Sequence, residues 1–331
     1  MSFPIDFVVT WVDGSDEKWQ RKRNEFSSSV GSNREGMNSI RAYREWGTFK
    51  FWFRAVEKYA PWVNHIYLVT DNQTPEWLDK DSPKLTLVDH KEIIDNNFLP
   101  TFNSNAIEAN IYKIKNLTEH FVVFNDDMFI TSEVSPYDFF DSHGRPKIRT
   151  SINPIVPMRY GTANFQVNDM KIINNYFTKK QIIKNAHLLS PKQGMRNLMR
   201  TVLFQNSKFF YGFWEEHMPY SLLKSTFQKL WAKESYILKR TSSHRFRSDL
   251  DTNIWLFKYW QLAAGETSVS SKSIGKLYGL ADSKEVWNAL NSNKHKIMCI
   301  NDNVKENEER IRIDFIDKLS KKYNSKSCFE R

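Results

Sequence analysis

Two cysteines in 331 residues, Cys299 and Cys328, are too few for a disulfide framework, and neither belongs to a CxxC pair that could hold zinc. No run of about 18 apolar residues occurs, which excludes an ordinary membrane-spanning helix. The opening MSFPIDFVVTWVDG has neither a basic n-region nor an apolar h-region. Together these absences lead us to expect a soluble chain in a reducing, cytoplasmic compartment. Internal repeats, long linkers and recognisable nucleic-acid-binding motifs are lacking too, so no nucleic-acid partner is expected. What is present is ordinary for a globular protein: 40% hydrophobic and 26% charged residues, enough to bury a large core. The net charge of +10 reads as scattered, with Arg21-Lys22-Arg23 and Lys318, Lys321 and Lys322 among its densest groups. A solvated surface explains such a distribution, and so does attraction to anionic partners.

The first 130 residues alternate short β-branched or aromatic runs with helical stretches, the pattern of a mostly parallel α/β sheet. Phe7–Val12 reads as the first strand, His65–Thr70 as the second, Leu85–Val88 as the third and Phe121–Phe124 as the fourth. Between the first two lie a Ser-, Gly- and Asn-rich loop over about 27–36 and a helix from about Ser39 to Tyr59, stopped by Pro61. Beyond residue 150 the chain reads as mainly helical until a late strand, Lys296–Ile300, and a charged amphipathic helix over about 306–323. The expectation is one domain: an α/β half over 1–135, a mainly helical insert over 150–290, and a returning strand and helix over 296–323.

Each early strand delivers polar or acidic residues to its C-terminal end, where open α/β sheets bind ligands. Asp13, Asp71 and the cluster Asn125-Asp126-Asp127 therefore converge on a presumed crevice. Carboxylates there suit a hard divalent cation. Acidic pairs at strand ends also serve as caps and turn formers, and the residues alone leave both readings open.

Four blocks in order along the chain resemble the Stealth family of sugar-1-phosphate transferases. The first is Val9-Thr10-Trp11-Val12-Asp13-Gly14-Ser15-Asp16. The second runs from Phe53–Trp62 through Ile66–Gln73 and Leu99–Glu108 to the Asn-Asp-Asp cluster. The third is suggested by Glu216-His217-Met218-Pro219 and His244-Arg245-Phe246-Arg247, and the fourth by Cys299-Ile300-Asn301-Asp302-Asn303. One departure is visible: many relatives begin the second block with Asn-Glu-Leu-Arg, where this chain has Gly47-Thr48-Phe49-Lys50. Whether Lys50 replaces the arginine stays open.

The resemblance implies a Rossmann-like, glycosyltransferase-A-like core and transfer of a hexose-1-phosphate or N-acetylhexosamine-1-phosphate from a UDP-sugar to a glycan hydroxyl. UMP would be released and a phosphodiester formed, in capsular or other surface polysaccharide synthesis. It further implies Mg²⁺ or Mn²⁺ on Asp127 and Asp302, with Asn125 nearby. Arg247 and, more loosely, Arg159 would grip phosphate, because a guanidinium binds two oxygens at once. His217, at an expected helix start, would be the base.

Thr10, Trp11, Asp13, Gly14 and Ser15 would hold the nucleotide, and Asn103, Asn105 and Glu108 the sugar. Asn103-Ser104 also reads as a helix cap, and the abundant aromatic rings as core packing before sugar stacking. A lipid-linked acceptor and peripheral contact with the inner face of a membrane fit the positive charge. The rival expectations are a metal-dependent glycosyltransferase releasing UDP, and a non-catalytic carbohydrate- or membrane-binding protein.

Overall fold

The computed structural model describes residues 1–27, 36–159 and 161–331; most of the loop expected over 27–36 lies outside these. Ten strands occur among the described residues. In chain order they are β1 (Ile5–Thr10), β2 (Ile66–Thr70), β3 (Leu85–Asp89), β4 (His120–Asn125), β5 (Met128–Ile130), β6 (Lys147–Ile148), β7 (Tyr220–Leu223), β8 (Ser268–Val269), β9 (Gly275–Gly279) and β10 (Ile297–Asn301). The central sheet has the order β3-β2-β1-β4-β7, parallel except for β7, which runs antiparallel to β4. This is the α/β, Rossmann-like sheet expected, with every sequence-read strand present to within two residues at either end.

Because side chains alternate across a strand, β1 divides its apolar residues between two cores. Phe7 and Val9 face the side covered by the helix Phe49–Tyr59, joined by Val122 and Phe124 of β4. Val8 faces the other side with Phe121 and Val123, under the helical insert. The centre of that insert is the helix Ile254–Ala264, buried along nearly its whole length. The Asn253 side chain caps its start by accepting the Trp255 N–H, and Gly265 at φ 80° ends it.

Two sequence readings are corrected here, the helix over Ser39–Tyr59 and the helix start at His217. The helix expected over Ser39–Tyr59 is interrupted: a 3₁₀ turn at Ile40–Tyr43 is followed by a kink at Arg44–Thr48, and the α-helix starts only at Phe49. Glu45 makes the break by accepting the N–H groups of Gly47 and Thr48 at 2.5 and 3.2 Å, while Gly47 takes φ 76°. The insert is mainly helical as expected, and it also supplies β7, which completes the central sheet. His217 does not start a helix; it sits at φ 51° three residues before β7. The closing helix, expected over about 306–323, runs Glu308–Lys322.

A second sheet, β5-β10-β9, positions the chemistry. After Asn125 the chain leaves the central sheet, turns through Asp126-Asp127 and enters β5, where Met128 pairs with Cys299 of β10. The Ile300 N–H donates to the Asp127 carbonyl at 2.9 Å. That register carries Asn301 and Asp302 to the same edge as the Asn-Asp-Asp turn, across more than 170 residues of sequence.

Candidate active site

Beyond the C-terminal ends of β1 and β4 opens a cavity of about 750 Å³. Thr10 and Trp11 border it from β1, Asn125, Asp126 and Asp127 from β4, and Asp302 from the end of β10. His217, Asn105, Glu108 and Arg247 complete it from the insert side. Strand ends and the insert side together thus gather residues from all four blocks. Asp13, Gly14, Ser15, Asn103 and Arg159 are not among the lining residues.

Gly14 explains the first three. Its backbone lies against Tyr43, where an added Cβ would meet the Tyr43 carbonyl oxygen at 2.0 Å. The glycine serves a chain crossing, and the neighbouring Asp13 carboxylate accepts the Ser15 N–H and hydroxyl to close the turn. Arg159 lies exposed in a turn before the helix Ala163–Tyr176, whose approach, Gly161 and Thr162, does reach the cavity. Lys50 is also off the lining, which instead carries Arg41 and Arg44 from the interrupted helix.

The two carboxylates expected to hold metal are only partly satisfied. Asp302 Oδ1 accepts the Val304 N–H at 3.0 Å and Asp127 Oδ2 accepts the Cys299 thiol at 3.4 Å, but Asp127 Oδ1 is buried without a hydrogen-bond partner among the described residues, and so is Asp302 Oδ2. Asp302 is approached by Arg44 Nε at 3.4 Å. Burial pushes the Asp127 carboxyl up from its usual range, with the neighbouring His217 pulling it back. Asp126 is pushed well up by burial and then by the charges of Asp127 and Glu45, and Glu45 is itself raised by burial. A divalent cation would satisfy the orphaned oxygens and relieve the mutual repulsion, so the residues fit Mg²⁺ or Mn²⁺.

The ligand-forming atoms of Asp127, His217 and Cys299 also lie within 4.8 Å of one another. Burial and Asp127 hold the Cys299 thiol well above its ordinary range, so it stays protonated and is a poor partner for a hard cation.

Among the described residues Arg247 forms no ion pair with a carboxylate. Its Nε and Nη2 donate to Ser104 Oγ at 3.1 and 2.9 Å, and its Nη1 donates to the Met37 carbonyl at 2.7 Å. What holds the loop carrying it is Asp251, a residue that sequence reasoning missed. Fully buried, Asp251 accepts from Asn103 Nδ2 at 2.8 Å, Asn105 Nδ2 at 3.1 Å and the Ser248 N–H at 3.0 Å, and pairs with His244 Nδ1 at 2.6 Å. Asn103, whose own side-chain oxygen caps the helix Ser104–Asn110, therefore works in this clasp rather than on the cavity wall. The signal was present in the sequence as Ser248-Asp249-Leu250-Asp251 directly after the basic block, but nothing local distinguished one aspartate from the other.

The profile described as Stealth protein CR1, conserved region 1, matches residues 3–31, and that of Stealth protein CR2, conserved region 2, matches 42–148. Capsular polysaccharide phosphotransferase WcwK of Streptococcus pneumoniae is 53% identical over 98% of this chain and 99% of its own length. The chain belongs to the Stealth family. Receptor polysaccharide phosphotransferase WefC of Streptococcus oralis is 52% identical over 98% of this chain and 99% of that protein, and exopolysaccharide phosphotransferase cps2G of Lactiplantibacillus plantarum is 42% identical over 98% and 93%. With likeness of this extent, the Stealth chain is a phosphotransferase enzyme.

Glu108 gives this Stealth site a measurable electrostatic signature. Burial lifts its carboxyl from 4.5 to about 7, against the pull of Arg247. A carboxyl raised on folding contributes stability that is complete below about pH 4.5 and is lost as pH rises through about 7. Glu108→Gln should therefore raise Tm at pH 8, by the equivalent of at most about 3 kcal/mol. The advantage should shrink toward nothing below pH 4.5. Thermal scans across pH test this, and a Tm difference that ignores pH would contradict it.

Proposed function

We propose that this Stealth phosphotransferase moves a hexose-1-phosphate or N-acetylhexosamine-1-phosphate from a UDP-sugar to a hydroxyl of a glycan acceptor in surface polysaccharide synthesis. The acceptor oxygen attacks the β-phosphorus, the bond from that phosphorus to the UMP oxygen breaks, and the sugar's C1–O bond survives in a phosphodiester. The observation that carries the reading is the meeting, in one cavity, of Asp127 and Asp302, each with one buried oxygen that has no hydrogen bond among the described residues, with Arg247, whose side-chain bonds to described residues go to neutral oxygens.

Phosphoryl transfer depends mainly on positioning and charge stabilisation. Asp127 and Asp302, with Asn125 and Asp126 beside them, would hold Mg²⁺ or Mn²⁺, which when bound neutralises diphosphate charge. Arg247 binds phosphate oxygens, and the Asp251 clasp fixes its loop. Thr10 and Trp11 border the nucleotide, while Asn105 and Glu108 offer polar atoms to the sugar. His217 takes the acceptor proton. Asp13, Gly14 and Ser15 act indirectly, by shaping the end of β1, and Arg159 meets substrate only outside the cavity proper.

No described helix is long and apolar enough to cross a membrane. A cytoplasmic setting is what a nucleotide-sugar donor and two unpaired cysteines, one exposed, support. The deciding experiment is a screen of UDP- and other NDP-sugars with glycan acceptors, read by the nucleotide set free. UMP is expected. UDP would mean glycosyl transfer, and no turnover with any donor would mean a binding protein.

Arg247→Lys should be far from conservative. A point charge cannot engage Ser104, the Met37 carbonyl and two phosphate oxygens together, and one lost charge-assisted bond costs about ten- to a hundredfold. The rate of nucleotide release at unchanged Tm measures this, and a near-normal kcat would make Arg247 peripheral.

A further inference from the structure

The positive charge, read from the sequence as scattered, is concentrated. Between Asp141 and Glu215 the only acidic residue is Asp169, which is buried, against twelve lysines and arginines, so this stretch supplies the whole excess of a chain with net charge +10. On it lies the helix Met195–Phe204, whose polarity is inverted: it buries Asn197 and Thr201 and turns Met195, Met199, Val202 and Leu203 outward. Met195 and Leu203 are 72% and 71% exposed.

The apolar surface continues into the following loop through Phe209 and Tyr211, both exposed. It also reaches the exposed Val156 and Met158, because Arg200 of the same helix donates to the Asn153 side chain and the Asn153 N–H donates to Gly212. Lys180, Lys184, Lys192, Arg196 and Lys208 stand exposed around it. Lys179, Lys180 and Lys184 line a separate cleft of about 630 Å³ beside Leu189.

We propose that this face docks on an anionic lipid bilayer, its apolar side chains entering the headgroup boundary and its basic side chains meeting lipid phosphates. An amphipathic helix with a basic border has this physics. Charge selects the occupant. A second copy packed on the same face would set like charges against each other, and nucleic acid would leave the exposed methionines and leucines in water. The geometry gives docking a consequence, because the Met158 carbonyl accepts the Gly161 N–H at 3.0 Å and Gly161 and Thr162 line the catalytic cavity. The face therefore runs to the edge of the site and would bring that edge to the membrane, whichever donor is used.

Flotation of the full chain with vesicles of phosphatidylcholine, alone or mixed with phosphatidylglycerol, tests the proposal. Binding to the mixed vesicles only, weakened by salt, is expected. Lys184→Gln with Lys192→Gln should cut partitioning about fivefold per charge removed. Met199→Asp with Leu203→Asp should cut it at least tenfold with no change in Tm, both residues being exposed. If the acidic pair proves misfolded, Met199→Ala with Leu203→Ala should still weaken binding. Equal partitioning to both vesicle types, no binding to either, or binding indifferent to all of these substitutions would overturn the inference. So would a concentration-dependent dimer abolished by Leu203→Asp, which would make the face a self-association surface.

Discussion

Replacing Asp127 by Ala should abolish turnover while leaving a cooperatively melting protein. The carboxylate lies in the turn between β4 and β5 at a cavity, and one of its oxygens is buried without a partner among the described residues, so it adds little to the metal-free fold and its removal relieves a desolvation cost. In the proposed reaction the same group is needed, because a diphosphate brought near Asp126, Asp127 and Asp302 without a cation is repelled by those carboxylates, whatever the cavity's arginines offset. Two measurements separate these roles. Mg²⁺ or Mn²⁺ at about 100 times its dissociation constant should stabilise the wild type by about 2.7 kcal/mol, a rise of several degrees in Tm, and EDTA should reverse both this rise and the activity. The Asp127→Ala protein should melt like metal-free wild type and ignore the ions. Full turnover after rigorous chelation would sink the metal assignment, and an insoluble or non-cooperative variant would show that Asp127 is structural.

How much of this site could be read from sequence follows from how local each signal was. The parallel strands were legible because each packs an apolar run against two faces and ends in polar residues, and Asn125-Asp126-Asp127 stood out as the sharpest of those endings. The late strand was legible for the same reason, and the antiparallel pairing of Met128 with Cys299 turned it into a site by bringing Asp302 across. Three features were hidden by the same locality. The apolar rhythm of Ser39–Tyr59 looks continuous, but a side-chain carboxylate from Glu45 competes successfully for the backbone N–H groups of Gly47 and Thr48, and the break brings Arg41 and Arg44 to the cavity. Met218-Pro219 resembles a helix start, whereas Tyr220–Leu223 is claimed by the open edge of β4, a long-range pairing no local rule detects. Gly14 reads as a ligand-approach glycine, but its missing Cβ makes room for Tyr43. The basic stretch was legible only by counting acidic residues over more than seventy positions, a scale at which short clusters mislead.

His217→Ala should lower kcat by about 10²- to 10⁴-fold, with donor affinity little changed, since general-base catalysis has that size and acts on the acceptor. The residue is poised by unusual means. A left-handed backbone at φ 51° turns it at the mouth of β7, its Nδ1 lies 3.5 Å from the Tyr220 hydroxyl, and that hydroxyl accepts the Trp255 Nε1–H at 2.8 Å. Such a chain orients the ring toward the cavity. A histidine acting as base must be unprotonated, so the wild-type rate should fall at acid pH, and the alanine variant should lose that limb along with its rate. Because Asp127 is close enough to share a metal with His217, stabilisation by Mg²⁺ or Mn²⁺ supplies the control. A base leaves the metal-dependent rise in Tm intact when removed, whereas a ligand takes it away. If the variant keeps the same acid limb at a much lower rate, the titrating group is not His217. Asp126, on the same cavity and with its carboxyl pushed well up by burial, would then be the group to replace by asparagine in the next pH profile.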